Sequence, residues 1–251
     1  MALIKWVACF FLLVSAQAQA YSWRVIDNGL DYATFQHIHA FRVDPALIRF
    51  SIVRAQDFHK EASTAEEVAL QSKAILVING GFFNPEKESL GLLVRNGKIL
   101  NPMRETSWWA VFQIYEKRAV ITPYRSFNVS RETEMALQVG PRLLINREIP
   151  QLKFSVARRS GIGIQPNGRV VIVLSEDTGL SLLAFAKLFQ KSEEEGGFGC
   201  IDALNLDGGG SSQLYIDWQD FKLNIEGTSY VPNFVALFPR AKASFNSPKR
   251  K

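Results

Sequence analysis

The segment Asp202-Ala203-Leu204-Asn205-Leu206-Asp207-Gly208-Gly209-Gly210-Ser211-Ser212 decides how the rest of the chain is interpreted. Apolar Ala203–Leu206 predicts a short strand, and Gln213–Ile216 predicts the next one. Between them, three glycines allow positive φ, so successive backbone N–H groups can turn inward and hold an anion. Asp207 sets a carboxylate beside those amides, and Ser211 and Ser212 add hydroxyl groups. The alternative is a tight structural turn between two strands.

A second glycine-rich turn, Asn79-Gly80-Gly81-Phe82-Phe83-Asn84, also follows a predicted helix and strand. Ser63-Thr64-Ala65-Glu66 is typical of a capping box with Ser63 as the N-cap, and it predicts a helix that runs to about Ser72. The apolar run Ala74–Ile78 then predicts a buried strand. We interpret Asn79 as an amide partner for a sugar and Phe82 or Phe83 as a stacking surface. A turn with two core aromatics is the alternative.

The strand before Asp207 is also preceded by a helix, which we predict from Leu182 to about Gln190 with Ser181 as its N-cap. Ligands often bind at the carboxyl ends of strands in open sheets. We therefore expect both glycine-rich turns to lie at one sheet edge.

Three hairpins are predicted from turn residues and strand-like flanks. Their strands are Leu90–Val94 with Lys98–Leu100, Trp109–Tyr115 with Ala119–Ile121, and Gly161–Gln165 with Arg169–Leu174. The strands outnumber the helices, so we predict a single α+β domain with a mixed, mostly antiparallel β-sheet core and a few flanking helices. Before the third hairpin stands Arg158-Arg159. An arginine fork can hold a phosphate, and two solvated charges are the alternative.

The first twenty residues are typical of a cleaved signal peptide. Lys5 precedes the short apolar run Trp6–Val14, and Ala18-Gln19-Ala20 is a small-x-small cleavage site. The run is too short to span a bilayer, which takes about 20 residues. We therefore expect a periplasmic or secreted protein with no stable membrane span. Residues 21–240 would form the domain and residues 241–251 a basic flexible tail.

Charge and reactive residues exclude several classes of function. The net charge is +5, and part of this positive charge lies in the tail. The sequence shows no basic face with interleaved aromatic residues, so nothing in it indicates nucleic-acid binding. Cys200 would be the one cysteine of the exported chain, and we expect it to be buried and inert. The three histidines, His37, His39 and His59, have no recognised metal-ligand spacing. No cofactor is required by the sequence, although a divalent cation at Asp207 is possible.

Taken together and in this order, the motifs resemble those of the phosphodiester glycosidase family over about Ser63 to Leu237. The long Asp207 segment matches most fully. Five other segments match in turn: Asn79-Gly80-Gly81-Phe82-Phe83, Gly91-Leu92-x-Val94-x-Asn96-Gly97, Gly140-Pro141, Arg159-Ser160-Gly161-Ile162-Gly163 and Val231-Pro232-Asn233. Two departures are Ser160 in place of threonine, and Ser229 where the family often has an arginine four residues before the asparagine.

The resemblance implies hydrolysis of a sugar–phosphate linkage in a glycan or sugar-phosphate substrate. Asp207, Arg159 and Asn79 would be the catalytic residues. Substrate would be bound by Gly80, Phe82, Gly208, Gly209, Gly210, Ser211, Ser212 and Asn233. Two alternatives remain open at this point: a glycosidase that acts on exopolysaccharide or peptidoglycan without a phosphodiester, and a non-catalytic periplasmic carbohydrate-binding protein.

Overall fold

The computed structural model describes residues 22–240, so the predicted signal peptide and basic tail lie outside the described residues. Within this range the chain forms seventeen strands and two α-helices. The helices are α1 (Ala65–Ser72) and α2 (Leu182–Gln190). The strands are β1 (Arg24–Asp27), β2 (Leu30–Phe35), β3 (Ile38–Val43), β4 (Ile48–Arg54), β5 (Leu76–Asn79), β6 (Leu93–Arg95), β7 (Lys98–Asn101), β8 (Ala110–Tyr115), β9 (Arg118–Pro123), β10 (Thr133–Val139), β11 (Arg142–Leu144), β12 (Arg159–Ile164), β13 (Val170–Ser175), β14 (Asp202–Asn205), β15 (Leu214–Trp218), β16 (Phe221–Ile225) and β17 (Asn233–Pro239).

The strands form three sheets. The largest has the order β1-β2-β3-β13-β12-β14-β11, the second β7-β6-β10-β8-β9, and the third β16-β15-β5-β17-β4. Every pairing between named strands of the described chain is antiparallel. The predicted α+β fold, with a mostly antiparallel sheet core, is therefore confirmed.

One apolar core joins the inner faces of the three sheets. Its fully buried members include Phe41 and Leu204 from the first sheet, Phe112 from the second, and Phe50 and Leu214 from the third. Because alternate residues of a strand face opposite sides of a sheet, the outer faces need separate cover.

The helices provide that cover. Phe185 and Phe189 of α2 pack on the first sheet at Gly161 and Gly163, where an added Cβ would come within 2.8 Å and 2.6 Å of the rings. Val68 of α1 packs on the outer face of the third sheet. The glycines of β12 therefore allow the close approach of α2, which brings the first turn of that helix near Arg159.

Two local predictions need correction. The N-cap of α1 is Thr64, whose side chain accepts a hydrogen bond from the Glu67 N–H at 3.2 Å; the Ser63 hydroxyl instead donates to the Glu67 carboxylate. The two glycine-rich turns do not share a sheet edge, because β5 belongs to the third sheet and β14 to the first. They meet across the gap between these two sheets.

Candidate functional site

The backbone of Asp207 is held by residues from both sheets. The Asn79 Nδ2 and the Ser160 Oγ each donate to the Asp207 carbonyl oxygen at 2.7 Å. The Asp207 N–H in turn donates to the Gly80 carbonyl at 3.1 Å. The end of β5, the start of β12 and the end of β14 therefore converge on one residue and fix its position.

The Asp207 carboxyl group is partly buried, and this burial raises its pKa above the ordinary value of an aspartate. Desolvation disfavours the charged form. Hydrogen bonds from the Ser211 hydroxyl and the Gly208 N–H act in the opposite direction and lower the pKa. Since the desolvation prevails, Asp207 is a stronger base than an exposed aspartate when it is ionised.

The glycine segment forms a single 3-10 turn over Gly209–Ser211, with Gly209 at φ +61°. The Gly209 N–H donates to the Arg158 carbonyl at 2.9 Å, and the Ser211 N–H donates to the Gly208 carbonyl at 3.3 Å. An anion nest that uses the amides of all three glycines is therefore not formed. Ser211 and Ser212 are buried, and Ser211 reaches the Asp207 carboxyl group.

Arg159 is a buried cation beside this turn. Its side chain is on the α2 face of β12, and only 6% of the residue is exposed. The Nη2 donates to the Ser155 carbonyl at 2.7 Å and to the Ser155 Oγ at 2.9 Å. An added Cβ on Gly208 would lie 3.8 Å from the Arg159 Nη1, so the guanidinium borders the glycine turn. Burial lowers the pKa of Arg159.

Arg159 has no carboxylate partner in any ion pair of residues 22–240. The Ser155 carbonyl that accepts from Arg159 also accepts from the N–H of Leu182, the first residue of α2, at 3.0 Å. The guanidinium thus lies next to a helix N-terminus, which carries a partial positive charge. A buried cation with no counter-charge, beside a second positive end, favours a bound anion.

Asn79 and Asn233 are buried, and their side-chain amides form hydrogen bonds within the protein itself; their predicted contacts with a sugar stay predictions. The Asn79 Oδ1 accepts from the Gln213 N–H at 3.2 Å. The Asn233 Oδ1 accepts from the Gly81 N–H at 2.7 Å, and its Nδ2 donates to the Ser89 Oγ at 2.9 Å. Both asparagines position the turns that surround Asp207.

Gly80 has a packing role as well. A Cβ on Gly80 would lie 2.1 Å from the Asn233 Oδ1, so only glycine fits against this side chain.

Phe82 belongs to an aromatic cluster, and its predicted role as a stacking surface for a sugar stays a prediction. Its ring stacks on Trp109 with 5.2 Å between the centroids, and both rings line a cavity of about 370 Å³. Trp108 and Arg104 line the same cavity. The sequence did not indicate that either tryptophan lies near Phe82, because both stand at the start of a predicted hairpin that is distant in the chain. Trp108 is 56% exposed, as a ring available to a ligand must be.

Ser229, which stands where the family often has an arginine, adjoins the glycine turn. Its N–H donates to the Gly210 carbonyl at 3.0 Å, and its Oγ would lie 2.8 Å from a Cβ on Gly210. An arginine at this position would reach the turn directly.

The remaining reactive residues are distant or enclosed. His39 lies between the Tyr32 hydroxyl and the Glu176 carboxylate, at 2.9 Å from each. Across residues 22–240 no three His, Cys, Asp or Glu side chains converge as metal ligands, and a cation at Asp207 stays a prediction. Cys200 is fully buried, and burial raises the pKa of its thiol.

Comparison with known proteins places the chain. The sequence model of the phosphodiester glycosidase family matches residues 72–238. The chain belongs to the phosphodiester glycosidase family. The match includes the β5 turn, Arg159, the Asp207 segment and Asn233, which are the elements that converge in the structure. No curated protein sequence matches this family member.

Solved structures share the fold of this phosphodiester glycosidase family member. The zebrafish N-acetylglucosamine-1-phosphodiester alpha-N-acetylglucosaminidase catalytic domain, auto-inhibited by its pro-peptide, has a TM-score of 0.63 at 16% identity, over 91% of this chain and 85% of that one. A hypothetical protein from Synechocystis has a TM-score of 0.54 at 16% identity, over 88% and 62% of the two chains. A Burkholderia pseudomallei protein described as exported has a TM-score of 0.52 at 11% identity, over 84% and 74%. At these identities the likeness establishes the fold alone.

The described part of this family member includes no helix with the length and apolar character needed to cross a bilayer.

Proposed function

We propose that the protein is an exported hydrolase that cleaves the glycosidic bond between a sugar and a phosphodiester in an envelope or extracellular glycan. The products are the free sugar and a phosphomonoester. The observation that carries this proposal is the Arg159 guanidinium, which is buried, has no acidic partner in the described chain, and borders the turn that bears Asp207. A phosphate at this position supplies the missing negative charge.

Three groups have distinct roles in this reaction. Arg159, with the N-terminal end of α2, holds the phosphate and stabilises the charge that grows on it as the glycosidic C–O bond breaks. Phosphate is a good leaving group, so the bond needs little protonation. Asp207 accepts a proton from the water that attacks the anomeric carbon, and its raised pKa strengthens it as a base. The aromatic cavity of Phe82, Trp108 and Trp109 offers a stacking face for the sugar.

The deciding experiment is turnover of N-acetylglucosamine-1-phosphodiesters and glucose-1-phosphodiesters by the wild type, Asp207→Asn and Arg159→Lys. Asp207→Asn is expected to lower kcat by at least about 100-fold, since a general base contributes on this order. Arg159→Lys keeps the charge but loses the fork, and it is expected to raise KM by about tenfold.

The two alternative functions, a glycosidase that does not need a phosphodiester and a carbohydrate-binding protein, predict different results in the same assay. Release of sugar from a phosphate-free polysaccharide, with unchanged KM in Arg159→Lys, would identify a glycosidase that does not need the phosphodiester. Binding of sugar without turnover at any pH, equal in wild type and Asp207→Asn, would identify a carbohydrate-binding protein. Export is tested separately, because N-terminal sequencing of the secreted or periplasmic protein should find Tyr21 first.

A further inference from the structure

A second and larger cavity adjoins the phosphate end of the site. Its volume is about 530 Å³. It is formed between the segment 151–155, the start of α2 and the loop before β8. The lining residues are mainly apolar: Trp108, Pro141, Gln151, Leu152, Lys153, Phe154, Ser155 and Leu182.

The rim of this cavity exposes large apolar side chains to solvent. Phe154 is 87% exposed and Trp108 56%. Val156 and Leu183, the chain neighbours of two lining residues, are 51% and 49% exposed. Contiguous exposed apolar surface on a soluble protein usually marks a binding site. Here the two most exposed of these side chains, Phe154 and Trp108, line the cavity itself.

The cavity borders the proposed phosphate position. Ser155 lines the cavity and accepts both hydrogen bonds from the Arg159 Nη2. Leu182 also lines it and donates its N–H to the same Ser155 carbonyl. A phosphate held by Arg159 therefore has the wall of the cavity one residue away. Trp108 lines this cavity and the sugar cavity alike, so the two open onto a shared side chain.

We infer that this cavity binds the aglycone of the phosphodiester, and that the aglycone is a long-chain aliphatic alcohol. This inference rests on the proposed function, which supplies the phosphate at Arg159. Such a substrate joins an apolar chain directly to a phosphate, and the protein has an apolar cavity directly beside a buried guanidinium. Lys153 at the cavity adds a positive charge that suits an anionic amphiphile.

Binding of octyl phosphate and methyl phosphate by the full chain tests the inference without requiring turnover. Calorimetry is done below the micellar concentration of octyl phosphate. We expect octyl phosphate to bind at least about tenfold more tightly, because its chain leaves water for an apolar cavity. Phe154→Ala should remove most of that preference, and because the Phe154 side chain is exposed, this variant should be as stable as the wild type. Leu70→Ala, at a residue 64% exposed on α1, is the matched control and should keep the preference.

Two calorimetric outcomes would overturn the inference: equal affinity for the two phosphates, or a preference for octyl phosphate that Phe154→Ala leaves intact. A third is binding of the protein to neutral phospholipid vesicles without preference for octyl phosphate. That result would show that the apolar surface binds a membrane. Failure of the proposed function is a separate result. In that case octyl phosphate binds tightly and Phe154→Ala weakens it, yet neither an octyl nor a methyl sugar-1-phosphodiester is hydrolysed.

Discussion

Asp207 is costly to the folded protein at neutral pH, because its carboxyl group ionises in a partly dehydrated position. The folded protein binds the Asp207 proton more tightly than the unfolded chain does. As the pH rises through the unfolded and then the folded pKa, the unfolded chain loses its proton first, and the free energy of unfolding falls. The residue that the proposed reaction needs as a base is therefore one that weakens the fold.

Replacing Asp207 with asparagine should therefore raise the free energy of unfolding at pH 7 while it lowers kcat. The gain should shrink as the pH falls, because below its unfolded pKa the wild-type carboxyl is protonated in both states. Thermal melts of the wild type and Asp207→Asn from pH 3 to pH 8 measure this difference in stability. A wild type that is more stable than the variant at pH 7 would contradict the assignment of a raised pKa.

Asn79 should affect turnover through Asp207 rather than through the substrate. Asn79→Ala removes one donor to the Asp207 carbonyl and one acceptor for Gln213, so unfolding should become easier by about 2 kcal/mol. We expect kcat to fall and KM to stay nearly constant. Asn101→Ala is the matched control, because Asn101 donates to the Ser89 and Gly91 carbonyls outside the site. It should lose similar stability with kcat unchanged, and an equal kcat loss in both would show a merely structural effect.

The sequence predicted which residues lie around Asp207, but it did not predict the hydrogen bonds that these residues form. Spacing and residue type marked Asn79 and Asn233, but their hydrogen-bond partners lie 128 and 152 residues away in the chain. An asparagine that holds a loop and one that holds a sugar look the same in a sequence. Ser155 carried no signal at all, because its contact with Arg159 depends on how the segment before β12 folds over α2.

At the level of elements, the two helix caps offer a direct comparison. Thr64 caps α1 and Ser181 caps α2, each through one side-chain hydrogen bond. Replacing either with alanine should cost about 1 kcal/mol of stability. Only Ser181→Ala should also raise KM several-fold, because the first turn of α2 shares the Ser155 carbonyl with Arg159. Denaturant unfolding and steady-state kinetics of both variants check this, and identical KM values would argue against a role of α2 in phosphate binding.

Turn chemistry explains which elements could be predicted. Asn96 and Gly97 have φ of 50° and 70°, as the predicted hairpin turn requires, and β6 and β7 flank them. Strands β1 to β3 and β17 were not predicted, because these segments are held as strands by pairing with neighbouring strands in the sheets rather than by a local sequence pattern. The α1 cap was misplaced by one residue because Ser63 and Thr64 carry the same hydroxyl group.

For the whole molecule, Cys200 reports on the integrity of the packing between α2 and the first sheet. Its thiol is fully buried and its pKa is raised, so it should resist a thiol reagent at pH 8 in the native protein. Modification should follow global unfolding by denaturant, with a Cys9→Ser chain used to leave one thiol. Fast native labelling would show that α2 opens locally.

Strand β17 has a consequence for when the protein can work. It is the last strand in the described sequence, yet it lies inside the third sheet between β5 and β4. It also bears Asn233, which holds Gly81 in the turn after β5. Without this strand the third sheet is unfinished, and the turn after β5 loses the hydrogen bond that holds it. The arrangement around Asp207 therefore forms only once β17 has joined the third sheet.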